Sequence, residues 1–267
     1  MECQNTIKNL KVNKNKRIGN VIIIVEGEDD EFKLLKHIFT EILNYNYISM
    51  KRGKVIKHEF IDENNRNTVI IANTNSSSIK SIIDDEEYKD KLFNLLKTEY
   101  KKSLKNIPVY ILWDRDKEKT DDNKVQEYYS NAINTFYSAL DNEYEMNGLL
   151  LLSYPCHECF NFSNFKKRYW KETYETSDEC KHGFKSSQYS INKINEKSLL
   201  LAVENMHHSM VDYNINKYDP TNFKEINKKI FNKEENCFIK NKYFNALSLI
   251  SVMLIDLGII KINDDWK

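Results

Sequence analysis

The chain has 267 residues, 40% of them hydrophobic, which is enough for one large domain or two small ones around a real core. Forty Lys and Arg balance forty Asp and Glu, so the formal net charge is zero. That excludes a free-standing, non-specific nucleic-acid coat and leaves only a local patch for any polyanion. The five cysteines are odd in number, and residues 1–20 are polar and basic without the apolar core of a secretory signal. The longest apolar region, residues 246–260, is interrupted by Asp256 and is short for a bilayer. These features predict a cytoplasmic protein with no disulfide framework and no membrane span.

Residues 1–19 form a polar N-terminal segment. Val21-Ile22-Ile23-Ile24-Val25 then reads as a strand buried on both faces. Such a strand cannot carry Glu26 into the core, because an unpaired buried carboxylate is too costly. Glu26 is therefore expected at the strand's carboxyl end, where open parallel sheets place their ligands. Gly27 gives the backbone room to turn, and Asp29 and Asp30 open a helix over residues 31–39, where the dipole favours acids. Residues 47–51 and 55–61 read as two strands joined through Arg52-Gly53-Lys54, and residues 68–72 as another. A polar break over 73–78 leads to helical spacing from 79 to 104. The apolar run 109–113 is a further buried strand that ends in Asp114-Arg115-Asp116. A helix over 124–140, Gly148 and a strand over 149–152 follow. Strands alternating with helices predict an α/β fold with a mainly parallel sheet flanked by helices. Beyond a soft boundary near residue 155, helices are expected at 199–210, 223–231 and 243–257, with an irregular polar stretch at 172–190. The apolar stretch 246–257 reads as a core helix, the alternative being a face for a partner or for a second copy in a homodimer.

Asp114 and Asp116 are two residues apart in extended chain, so both carboxylates point one way and Arg115 the other. Carboxyl ends of parallel strands share one edge of a sheet, which places Glu26 and this pair on a common surface. Clustered carboxylates raise one another's pKa unless a cation neutralises them, and hard oxygen ligands suit Mg²⁺ or Mn²⁺.

Glu26-Gly27 after the first strand and Asp114-Arg115-Asp116 after a later one resemble the signature of the TOPRIM domain, found in topoisomerases, primases and several nuclease families. Lys117-Glu118-Lys119 follows Asp116 where topoisomerases and primases often have glycine, which favours the nuclease branch. The nearer likeness is to the overcoming-lysogenization-defect, RloB and AriB group of antiphage nucleases. Ser153-Tyr154-Pro155-Cys156-His157-Glu158 resembles the Ser-Asn-Pro-Cys-x-Glu segment of RloB-like chains, with Tyr154 in place of Asn. The resemblance covers residues 20–165. It implies a Rossmann-like TOPRIM catalytic domain over 20–155, to which composition and periodicity add a mostly helical C-terminal region over 156–267. It also implies a Mg²⁺-dependent endonuclease acting on RNA (tRNA) or DNA, controlled by an ABC-type ATPase partner. Metal ligands would be Glu26, Asp30, Asp114 and Asp116. Glu158 is either a fifth carboxylate of the metal site or a surface acid. Arg115 and Lys117 would neutralise phosphate charge or pair with neighbouring acids. A primase- or topoisomerase-like enzyme and a non-catalytic partner-binding subunit are the alternatives.

Two further groups stand out. Lys166-Lys167-Arg168, among Phe162, Phe165, Tyr169 and Trp170, combines charge with stacking surfaces suited to single-stranded nucleic acid, or else forms an ordinary amphipathic helix. Cys156, Cys159, Cys180 and His182 are of the types that hold structural zinc, but Cys180 and His182 lack the usual spacing, and no zinc site is expected. His207 and His208 read as ordinary histidines. There is no Walker-type phosphate loop, so ATP hydrolysis is not expected of this chain.

Overall fold

The computed structural model describes residues 10–27, 29–51, 57–64, 66–73, 107–115, 122–140, 148–215 and 223–262. In chain order the elements begin with strands β1 (Lys11–Val12) and β2 (Asn20–Val25) and helix α1 (Asp30–His37), which a π-helical turn, Ile38–Ile42, prolongs. Strands β3 (Asn46–Lys51), β4 (Lys57–Ile61), β5 (Thr68–Asn73) and β6 (Val109–Asp114) follow. Helix α2 (Asp122–Thr135), strand β7 (Leu149–Tyr154) and helix α3 (Glu158–Ser163) lead to β8 (Thr173–Tyr174) and α4 (Ser177–Lys185). The chain continues through α5 (Glu196–Asp212), α6 (Phe223–Asn241), β9 (Phe244–Asn245), β10 (Leu247–Ser248), α7 (Ile250–Asp256) and β11 (Ile260–Lys261).

Seven strands form one mixed, mostly parallel sheet in the order β10-β7-β6-β2-β5-β4-β3. The α/β class expected from the alternation of apolar runs and helical spacing is what forms. Strand β2 lies parallel to both β5 and β6, with Val25 opposite Asn73 on one side and Leu112 on the other. Strands β3, β4 and β5 are antiparallel neighbours, so the predicted hairpin exists. Its turn, residues 52–56, and the helix expected over 79–104 lie outside the described residues.

The chain divides into two compact units. The first comprises residues 17–113 and 118–150. Val21 to Val25 are all buried, as a strand with neighbours on both sides and apolar residues at every position must be. Leu34, Leu35, Ile38 and Phe39 form the buried face of α1 and its π-helical extension. Phe32 stacks on His58 at 3.5 Å between ring centroids, and burial pushes the His58 pKa down to about 4, so this ring packs as a neutral aromatic. Gly148 is required at the entry to β7. Its φ is +78° and an added Cβ would come within 3.1 Å of the Val109 carbonyl oxygen.

The second unit comprises residues 1–16, 114–117 and 151–267. Ser248 pairs with Ser153 across β10 and β7, and their hydroxyls lie 2.7 Å apart. Asn195 caps α5 in a reciprocal box with Ser198. Three features differ from the expected elements. Helix α4 occupies the middle of the stretch read as irregular, started by the Thr176 side chain accepting from Glu179 N and sealed by buried Cys180 and Phe184. Helix α6 runs on to Asn241, because Ile230, Glu234, Glu235 and Phe238 keep a buried stripe through a polar sequence. The expected helix over 243–257 shrinks to α7, since residues 244–245 and 247–248 are taken up by pairing with β8 and β7. No helix among the described residues is long and apolar enough to cross a membrane.

Glu234 is fully buried on α6 and accepts hydrogen bonds from the Tyr213 hydroxyl and from Asn245 N at 3.0 Å. Burial pushes its pKa from 4.5 up to about 8, against the pull of those donors. Between those two values the folded chain keeps a proton that the unfolded chain releases, so stability falls as pH rises through the window. Glu234→Gln is therefore expected to stabilise the protein by about 3 kcal/mol more at pH 8 than at pH 5, as read by urea denaturation at both pH values. An effect independent of pH would show that Glu234 is ionised throughout.

Candidate metal centre

In the first unit, β2 delivers Glu26 to the sheet edge at which the adjacent parallel β6 also ends. Gly27 is followed around the turn by Glu31, whose carboxylate folds over it: a Cβ on Gly27 would lie 2.9 Å from Glu31 Oε2. A side chain here would push the Glu31 carboxylate aside, and the φ of Gly27 is not left-handed. Asp30 opens α1 and takes a 3.3 Å ion pair from Lys33, while Glu31 is buried. Asp30 and Glu31 carry donor oxygens of the kind that hold cations.

In the second unit, Asp114 is buried with 5% exposure. His157 N donates to its Oδ1 at 2.8 Å, and His157 Nδ1 lies 3.3 Å from its Oδ2. Lys181 Nζ stands 3.9 Å from that same oxygen. His157 Nε2 is 3.5 Å from Oε1 of Glu158, which is 3% exposed. The other oxygen, Glu158 Oε2, is buried and has no hydrogen-bond partner. Burial pushes the Glu158 pKa up and the Asp114 charge adds to the rise, while His157 and a hydrogen bond from the Cys156 thiol oppose it. Buried carboxylate and imidazole groups of this kind can hold a metal ion, whose identity the donor types narrow to hard or borderline cations.

Arg115 turns away from Asp114, as strand alternation requires. Its amide continues the ladder to Ser153 O at 2.8 Å. Its guanidinium forks onto buried Glu235, with Nε to Oε1 at 2.7 Å and Nη2 to Oε2 at 2.9 Å, and packs 5.5 Å from the Phe244 ring centre. The ion-pair reading of Arg115 therefore has a definite partner, supplied from 120 residues away. Asp116 and Lys117 lie outside the described residues.

Compared with protein-family models, curated proteins and solved structures, the chain matches none. What the site can do must be read from its own residues. Glu158, open between a metal-site and a surface role in the sequence, is buried beside His157. His157 and Lys181 were not singled out as site residues. His157 stands inside the Ser153 to Glu158 run and was legible as a neighbour of Glu158. Lys181 carried no signal in a chain rich in lysine.

The basic run is differently placed. Phe162 and Tyr169 are core residues, and Lys166 Nζ covers the Phe162 ring at 4.7 Å. Phe165 stacks on Tyr189 at 4.9 Å and Trp170 on His208 at 4.1 Å. The aromatic rings are thus packed on protein partners, and Lys167 and Arg168 are the exposed cations. His182 is exposed, whereas Cys156, Cys159 and Cys180 are fully buried together in one apolar cluster. Burial pushes the Cys156 and Cys159 thiols up, while hydrogen bonds from Cys156 and Cys159 bring Cys180 down to about 4.

Proposed function

We propose that the protein is a metal-dependent nuclease of the TOPRIM kind that cleaves phosphodiester bonds of RNA or DNA. The observation that carries this reading is the buried Glu158 carboxylate beside an Asp114 held in one orientation by the His157 amide. A buried carboxylate charge is costly, and a bound cation lowers that cost. Carboxylate oxygens suit Mg²⁺ or Mn²⁺, which would supply a water of lowered pKa and neutralise charge on the phosphate.

The chain's own groups divide the remaining work. Asp114 and Glu158 are ligands, Asp114 aimed by the His157 amide and Lys181. Glu26 and Asp30, with Asp116, are the carboxylates that the TOPRIM resemblance adds. Glu26 serves as general base if an oxygen is left to it. Lys167 and Arg168 are exposed cations for the nucleic-acid backbone, and a toxic antiphage effector restrained by an ABC-type ATPase is the biological setting that the same resemblance supports. A second reading, a non-catalytic subunit, is favoured by the fact that both oxygens of Asp114 already have partners.

The test is cleavage of tRNA, single-stranded DNA and plasmid by wild type and Glu26→Ala, with Mg²⁺, Mn²⁺ or EDTA, alone and with a cognate ATPase. Cleavage by wild type that EDTA and Glu26→Ala both abolish is the expected result. A folded wild type that cuts none of the three under any condition would leave the binding subunit as the reading.

A further inference from the structure

Three of the chain's five cysteines come together in the second unit. Cys156 and Cys159 flank the start of α3, where Cys159 N donates to Cys156 O at 3.0 Å and closes a tight turn. Cys180 arrives from the middle of α4. Its Sγ is 3.6 Å from Cys159 Sγ, and all three side chains have 0% exposure. A zinc ion bound tetrahedrally at about 2.3 Å from each sulfur holds its thiolates about 3.8 Å apart, so the Cys159 and Cys180 sulfurs are already near a coordination spacing, and Cys156 packs in the same buried cluster. In the absence of a metal the thiols have ordinary partners, which binding would replace. Cys156 Sγ reaches Ser177 O only at 3.8 Å, while Cys159 Sγ donates to Tyr154 O at 3.0 Å.

We propose that Cys156, Cys159 and Cys180 form a structural site for a thiophilic d¹⁰ ion, with Zn²⁺ as its ordinary occupant. The spacing argument against zinc fails because the third sulfur comes from a separate helix and has no fixed sequence interval to obey. The surroundings are of a kind that such a staple would tie together. Residues 154–195 contain the six-residue α3, the two-residue β8, the nine-residue α4 and two single 3₁₀ turns. Short elements of this kind bury little apolar area each, and small regions so built are commonly fixed by metals or disulfides. Three thiolates leave a fourth position for water or for the Tyr169 hydroxyl, 3.9 Å from Cys180 Sγ. Binding releases the thiol protons to solvent, so affinity rises with pH. Because Cys156 and Cys159 bracket His157 and Glu158, the ion would also fix the backbone that presents Glu158. The site uses none of the carboxylates of the proposed nuclease centre and stands whether or not that centre cuts.

The full-length chain, purified without a histidine tag, is assayed for bound metal by mass spectrometry. The metal-free chain is then titrated with Cd²⁺ and followed by the thiolate-to-metal absorbance band. About one zinc per chain, and a cadmium band saturating at about one equivalent, are expected. Cys180→Ser should lose the zinc and most of the band, while Cys237→Ser and Glu158→Gln should keep both. If Cys180→Ser fails to fold, the wild-type titration still decides. A folded wild type that carries no zinc and gives no cadmium band overturns the proposal and leaves the thiols as small apolar core residues.

Discussion

Glu158→Gln is expected to lower metal-dependent cleavage about a thousandfold and to raise, not lower, the melting temperature of the metal-free protein. The two effects have one cause. Glu158 is 3% exposed, and one of its oxygens has no hydrogen-bond partner. Without a cation, burial makes its charged form costly, and the nearby Asp114 adds to that cost. Its folded pKa therefore lies above the unfolded value, and the cost grows as pH rises through the interval between them. Glutamine keeps the shape and removes the charge, so its benefit should be small in acid and larger at neutral pH. As a ligand, however, an amide oxygen is much weaker than a carboxylate for Mg²⁺. Loss of several kcal/mol of transition-state stabilisation corresponds to about three powers of ten in rate. Thermal melts at pH 5 and 7.5 in EDTA, beside cleavage rates across a Mg²⁺ titration, test both halves. A variant that is less stable and still cuts would identify Glu158 as a structural acid. Activity lost together with stability would point to misfolding and remove the argument for a ligand.

Local physical constraints explain what was legible in the sequence. The apolar run from Val21 to Val25 cannot hold Glu26, so the acid's place at the strand end was fixed by solvation alone. Asp114 ends β6 but stays buried, held by the His157 amide and not by solvent. The parallel register of β2 and β6 followed from strand–helix alternation, a local property of the chain. Glu158 was harder, because an acid in that run reads equally well as a surface acid. Its burial depends on His157, Asp114 and the close of β7, and none of these appears in its own periodicity. Helix α4 was missed for a similar reason. Its apolar contacts are Cys180 and Phe184 alone, and only the tertiary cluster of Phe162, Tyr169 and Tyr174 gives them something to pack against. The partner of Arg115 was invisible for the plainest reason, since Glu235 lies 120 residues away in a polar stretch of α6.

That pair carries the second large effect. Arg115→Met is expected to destabilise the protein by about 3–5 kcal/mol, because it leaves Glu235 buried and without its counter-charge. Both side chains are only 5–6% exposed, and the two hydrogen bonds between them are short and parallel. The double variant Arg115→Met, Glu235→Leu should recover most of that loss, since an apolar pair avoids desolvating two ions and the Phe244 ring offers it an apolar neighbour. Urea denaturation of the two single variants and the double variant measures the coupling directly. The same three proteins separate two roles for Arg115. If it only anchors the end of β6, and so the position of Asp114, cleavage returns with stability in the double variant. If the guanidinium also neutralises phosphate charge during the reaction, the double variant is stable and inactive. The geometry favours the first outcome. A guanidinium whose fork is closed on one carboxylate, on the side of the strand opposite Asp114, would have to give up a buried ion pair before it could meet a phosphate.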